Sequence, residues 1–227
     1  MSEIAGNTSI LIASECLSNV NGGKGLMLGG IAGVTPTEVV AIGAGTVGEF
    51  AARSAMGLGA SVKIFDNSLS KLRRIQSDLN TRVYTSIIQP KVLAKALRRA
   101  DVVIGALRSN DKRTPCVVSE SMVEKMKEGS VIIDVSIDQG GCIETSEITS
   151  HANSTIVKHG VIHYGVPNIP SRVARTASYA LSNLLTPTLL RLGEEGGLEP
   201  LIVRDCGVRK GAYVFHGMLT NKMVGEW

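Results

Sequence analysis

Six residues carry the strongest chemical signal in the chain: Gly43-Ala44-Gly45-Thr46-Val47-Gly48, a G-x-G-x-x-G spacing. Among 25 glycines the spacing alone says little. Its setting says more, because an apolar run at 39–42 leads into it and a helical pattern leads out. The first glycine permits a tight turn, the second lets the main chain approach a diphosphate, and the third lets helix and strand pack closely. Unpaired N–H groups and the positive end of the helix dipole then face an anion. The next apolar run ends in Phe65-Asp66, with Asp66 23 residues after Gly43. An acid about 20 residues past the first glycine hydrogen-bonds a ribose 2′-hydroxyl and repels the extra phosphate of NADP. The pattern therefore predicts an NAD site. Lys71, Arg73 and Arg74 follow with positive charge suited to a 2′-phosphate. They lie in a helical pattern beside partners such as Asp78, which favours a solvated face and leaves NADP the minor alternative.

A second constellation is the run at 131–141, where an apolar stretch holding Asp134 leads to Asp138-Gln139-Gly140-Gly141. Ligands of open α/β sheets bind at the carboxyl ends of the strands, where this segment falls. Asp138 has two readings: an acid beside a nicotinamide that assists proton movement or steadies a developing cation, or the cap of a turn. Asp134, deeper in the run, is read as structural. Asn168, between Pro167 and Pro170, either hydrogen-bonds a carboxamide or satisfies local backbone groups. His151, His159, His163 and His216 have no partner at metal-like spacing, so neither a metal nor a catalytic role is expected of them.

These groups must be positioned by alternating short apolar runs and helical patterns. The runs lie at 39–42, 62–65, 83–86, 102–106, 131–135 and 161–166, with helical stretches at 46–58, 69–79, 90–100 and 119–127 between them. Such alternation predicts a doubly wound parallel α/β sheet of Rossmann type. A flanking helix is expected at 7–18, capped by Asn7 or Thr8. Residues 1–170 form the expected nucleotide-binding domain. Residues 171–227 read as a helical return segment of an incomplete second domain. There Pro187 is able to kink or divide a long helix, Val214-Phe215 is strand-like, and Thr220 is a possible helix cap.

Composition narrows the function classes. Hydrophobic residues make up 44%, charged residues 19% and aromatics 4%, so a globular core must be built from Val, Ile, Leu and Ala. The net charge is +4 with basic residues scattered and not interleaved with aromatics, which argues against a nucleic-acid surface. Four dispersed cysteines form no C-x-x-C pair, fitting a reducing compartment, and the cytoplasm is the default. No apolar stretch is long enough to suggest a membrane span.

The segments MSEIAG, GGKGLMLGGIAGV, GAGTVG, VIIDVSIDQGGCIETS, VIHYGVPNIP and RTASYALSN together resemble the alanine dehydrogenase family. That family shares its architecture with the soluble subunit of proton-pumping transhydrogenase. The resemblance covers roughly the first 190 residues, and IDQGG followed by a cysteine favours alanine dehydrogenase. It implies conversion of L-alanine, water and NAD to pyruvate, ammonia and NADH, through hydride transfer and an imine stage. It also implies that Asp138 is the active-site aspartate, that Gly43, Gly45, Thr46, Val47 and Gly48 form the diphosphate loop, and that Asp66 is the ribose acid. Lys71 matches a basic cofactor contact, Ser2, Ile137, Val166, Asn168 and Ile169 match other cofactor-lining positions, and Leu107 occupies a further one with a changed residue. The chain departs from the family pattern at Leu107-Arg108, Ile88 and Glu147, and in the charged loop at 109–112, all on the adenine side or the rim.

The family has a further segment ahead of MSEIAG that supplies a catalytic lysine and histidine and an arginine for the substrate carboxylate. The chain is therefore expected to be a truncated part of a homo-oligomeric enzyme, binding NAD without turning over alanine unaided. Exposed apolar surface is expected near Val203, Val214 and Phe215, and the end at Trp227 suggests a trimmed terminal helix. The alternatives are a stand-alone NAD-sensing module, or the cofactor domain of a transhydrogenase or saccharopine-type dehydrogenase.

Overall fold

The computed structural model describes residues 1–109 and 113–220, which fall into two compact units, Met1–Ala174 and Arg175–Trp227. In the first unit the apolar runs become β1 (Glu38–Ile42), β2 (Ser61–Phe65), β3 (Tyr84–Ser86), β4 (Val102–Gly105), β5 (Val131–Asp134) and β7 (Val161–Tyr164). They form one sheet in the order β3-β2-β1-β4-β5-β7-β6, parallel throughout except for β6 (Thr155–Lys158) at the edge. The helices α2 (Thr46–Gly57), α3 (Leu69–Asp78), α4 (Pro90–Leu97) and α5 (Glu120–Val123) lie between strands in sequence.

Both faces of the central strands β1, β4, β5 and β7 are buried, which explains their unbroken apolar runs. Along β1, Val39 and Ala41 join a cluster with Ile10, Leu17, Ala51 and Ile64 on one side. Val40 and Ile42 join Leu93, Leu97, Val103 and Ile132 on the other. Strand order reverses direction between β1 and β4, so the crevice for a ligand opens at the carboxyl ends of these two strands.

The flanking helix α1 spans Ser2–Leu17, beginning five residues before the expected start. Met1 precedes it without a side-chain cap, so Asn7 and Thr8 are not its cap. Asn7 instead accepts a hydrogen bond from Ser54 Oγ of α2 at 2.5 Å. Gly6 lets the two helices touch: a Cβ there would lie 2.5 Å from the Val47 carbonyl. The amino end of α1 is thereby seated beside the start of α2.

β6 has no counterpart among the expected strands. It pairs antiparallel with β7 through His159 and Gly160, both at positive φ, as a two-residue hairpin turn demands. The amino ends of the strands, away from the crevice, are tied by charge. Asp101 accepts from Lys24 Nζ at 2.8 Å, Lys127 Nζ at 2.9 Å and the Glu38 N–H at 2.8 Å. Burial alone would raise its carboxyl pKa, but these donors together hold it below the usual range.

In the second unit α6 (Ala174–Glu194) is a single helix with Pro187 inside it, so the proline does not divide it. Then come α7 (Leu198–Arg204), α8 (Cys206–Gly211) and a hairpin of β8 (Val214–Phe215) with β9 (Met218–Leu219). Val203 and Val214 are largely exposed, whereas Phe215 is half-buried, its ring 4.2 Å from that of His216. A helix after Thr220 and the terminal trimming fall outside the described residues.

Candidate cofactor site

The loop at 43–48 lies at the crevice mouth, and its three glycines are there for different reasons. A Cβ on Gly43 would stand 2.3 Å from the Ala106 carbonyl, and Gly43 has φ +115°, so both contact and conformation demand glycine. A Cβ on Gly48 would stand 1.8 Å from the Gly43 carbonyl, so only glycine lets α2 close onto the turn. Gly45 differs. A Cβ there meets nothing within 4 Å, because the residue faces open space.

Gly45 also caps α2, its carbonyl accepting the Glu49 N–H at 2.9 Å, and no side chain caps the helix start. The first main-chain N–H groups of α2, those of Thr46, Val47 and Gly48, have no acceptor within the helix, and no Ser or Asp cap supplies one. Donors with no acceptor, beside a position where a side chain is missing and space is open, suit a diphosphate.

Two cavities open here, of about 360 Å³ and about 200 Å³, and both are lined by Ala106, Leu107 and Arg108 just beyond β4. The larger brings together Ser2, Val47, Leu107, Asp138, Asn168 and Ile169 of the expected site residues. The smaller brings together Gly45, Asp66, Lys71 and Leu107, with Ile88 on its wall. Thr46, Gly43 and Gly48 form the loop without lining either cavity. Ile137 and Val166, also expected to line the cofactor, are buried, 6% and 3% exposed, and line neither cavity.

Asp66 sits at the smaller cavity, 5% exposed, with its carboxylate already engaged. Oδ2 accepts the Ala44 N–H at 2.8 Å and Oδ1 the Ser68 N–H at 2.7 Å. The acid thus fastens the glycine loop to the turn after β2. A carboxylate offers about four lone-pair sites, so two remain for a ligand hydroxyl. Lys71 lines the same cavity. Arg74 turns away to the Ala44 carbonyl at 3.1 Å, with Glu49 at 3.7 Å and Asp78 at 3.6 Å, so it is not placed for a 2′-phosphate.

Asp138 and Gln139 stand on a 3-10 turn, Ile137–Gln139, at the larger cavity, and Asp138 is exposed. Asn168 takes φ +55° and its side chain has no hydrogen-bond partner among the described residues, while its carbonyl accepts the Ser171 N–H at 2.9 Å and Ser171 Oγ at 2.8 Å. Ser136, Asn67 and Arg108 line the cavities although no motif singled them out for the site. Asn67 follows the acid directly, which was the available signal. Residues 110–112 of the charged loop lie outside the described residues.

The profile of a family described as alanine dehydrogenase/PNT, C-terminal domain, matches residues 9–222. The chain belongs to this family. It is 42% identical to an alanine dehydrogenase of Methanococcus maripaludis over all 227 residues, which make up 61% of that protein. A solved L-alanine dehydrogenase superposes with a TM-score of 0.93 at 40% identity, over 100% of this chain and 62% of that one. A transhydrogenase structure from Sinorhizobium meliloti, at 23% identity and a TM-score of 0.73, covers 88% of this chain and 55% of its own. That last likeness shows the shared fold alone. The chain thus spans about three-fifths of the length of the curated relatives it matches. The Rossmann-type sheet is the fold that the family and the solved dehydrogenase share with it.

Proposed function

We propose that this chain is the NAD-binding part of an alanine dehydrogenase, with the first unit holding the cofactor and the second contributing to the substrate domain. The observation that carries the proposal is the open face of Gly45 at an uncapped helix start, with Asp66 fixed 2.8 Å from the same loop. When bound, NAD would supply the hydride acceptor for oxidation of the amino acid. Thr46 and Val47 would hold the diphosphate through main-chain N–H groups, with Asp66 and Lys71 on the adenosine side. Asp138, on its turn at the larger cavity, would hold or pass a proton beside the nicotinamide, and Asn168 would orient the carboxamide.

Among the described residues Asp138 is the one acid lining the larger cavity, which supports a site whose other acid–base and carboxylate-binding groups come from outside these 227 residues. Side chains such as Leu184, Leu189 and Leu190 are 69%, 62% and 63% exposed, which supports assembly into a homo-oligomer.

Calorimetric titration with NAD, followed by an assay for NADH formed from alanine, tests this. Binding without turnover by this chain alone is expected. A folded sample that binds no NAD refutes the cofactor role, and brisk turnover refutes the need for outside groups. Asp138→Asn in a full-length enzyme separates an enzyme from an NAD sensor: the enzyme loses most of its rate, and a sensor loses nothing.

A further inference from the structure

Asp134 ends β5 and is 0% exposed, an uncommon place for a carboxylate. It takes three N–H and O–H donors, and the Cys142 thiol is a weaker fourth at 3.9 Å from Oδ1. Oδ1 accepts the Ser136 N–H at 3.1 Å and Ser136 Oγ at 2.6 Å, and Oδ2 accepts the Cys142 N–H at 3.1 Å. Ser136 and Cys142 stand at the two ends of the turn that carries Asp138 and Gln139, and the Gly141 N–H closes the same turn onto the Ser136 carbonyl at 3.0 Å.

Two glycines make room for the carboxylate. A Cβ on Gly105 would lie 2.9 Å from Oδ1, and one on Gly141 would lie 2.8 Å from Oδ2. Burial pushes the Asp134 carboxyl pKa above the usual range, and the Ser136 and Cys142 donors offset that only in part. A buried acid is a costly way to stabilise a strand end, since an apolar residue would do so without desolvating a charge. What the carboxylate adds is two acceptors at a fixed separation, clamping both ends of one turn.

We propose that Asp134 is a positioning residue for the nicotinamide side of the site, setting Asp138 and Gln139 at the larger cavity without touching the ligand; this rests on the NAD reading above. In Asp134→Asn one oxygen becomes an NH2 group. The Ser136 hydroxyl is able to reverse and accept from it, but a main-chain N–H is not, so one end of the turn comes loose. The adenosine and diphosphate contacts, built on other loops, remain.

The test is calorimetry on the whole chain with NAD and with ADP-ribose, which lacks the nicotinamide. Asp134→Asn is expected to weaken NAD about tenfold, the worth of one buried hydrogen bond, while ADP-ribose binds as to the wild type. A folded variant that weakens both ligands equally, or neither, overturns the proposal. If Asp134→Asn does not fold, Ser136→Ala removes only the hydroxyl bond. It is expected to speed hydrogen exchange at the Cys142 amide, across the carboxylate, and to show the same split at roughly threefold. An unchanged Cys142 amide there overturns the proposal. Wild-type chain that binds neither ligand would instead refute the NAD reading, and the proposal with it.

Discussion

Gly45→Ala separates a glycine kept for a ligand from one kept for the fold. Gly45 has φ −80° and ψ −173°, an extended backbone that alanine adopts freely, and its added methyl meets nothing within 4 Å. Reduced freedom of the unfolded chain favours alanine by about 0.4–1 kcal/mol, and the weaker helix cap opposes it by a similar amount. The melting temperature should therefore barely move. The methyl does enter the open space before the Thr46 and Val47 N–H groups. Losing one charge-assisted hydrogen bond to a diphosphate costs about 1.5–3 kcal/mol, or roughly 10- to 150-fold in affinity. Gly48→Ala gives the contrast: its methyl would sit 1.8 Å from the Gly43 carbonyl, so α2 must shift, at about 1–3 kcal/mol or more of stability. Thermal melts and NAD calorimetry on both variants decide the matter. Gly45→Ala that binds NAD like the wild type, or that melts as early as Gly48→Ala, refutes the reasoning.

Asp101→Ala should cost about 2–4 kcal/mol in chemical denaturation, because it strands the Glu38 N–H and releases Lys24 and Lys127 from a nearly buried carboxylate. A loss under half a kcal/mol, the size of an ordinary surface change, would show that this network is idle. His163 sets an acid limit. It is 1% exposed, its ring nitrogens 2.9 Å from the Val161 carbonyl and 2.7 Å from Thr145 Oγ1, and burial lowers its pKa below 6.5. The unfolded chain then binds the proton more readily. This contribution is complete above pH 6.5 and falls away as the pH drops from there through the folded-state pKa. Melting temperatures measured from pH 7.5 to 5 should decline, and the slope below pH 6.5 should shrink in His163→Gln.

The parallel sheet was legible because strands buried on both faces are written as short apolar runs, and β1, β2, β4 and β5 begin or end within one residue of them. The start of α1 was not, since no side chain caps it and Gly6 looks like a breaker until α2 lies against it. β6 was missed for the opposite reason: it is a half-exposed edge strand, and its His159-Gly160 turn lacks the usual asparagine. At the site, G-x-G-x-x-G and Asp66 were readable from spacing. Spacing did not reveal that Asp66 spends half its acceptors on Ala44 and Ser68, nor that Asp134 clamps the Asp138 turn. Those roles depend on contacts between loops brought together only by the sheet.

A crystal structure of this chain grown with NAD asks the decisive question, namely which protein atoms touch the diphosphate. Its oxygens should lie within hydrogen-bond distance of the Thr46 and Val47 main-chain N–H groups, with the adenosine ribose at Asp66. A dinucleotide seated elsewhere, leaving that loop untouched, would contradict the assignment of the site.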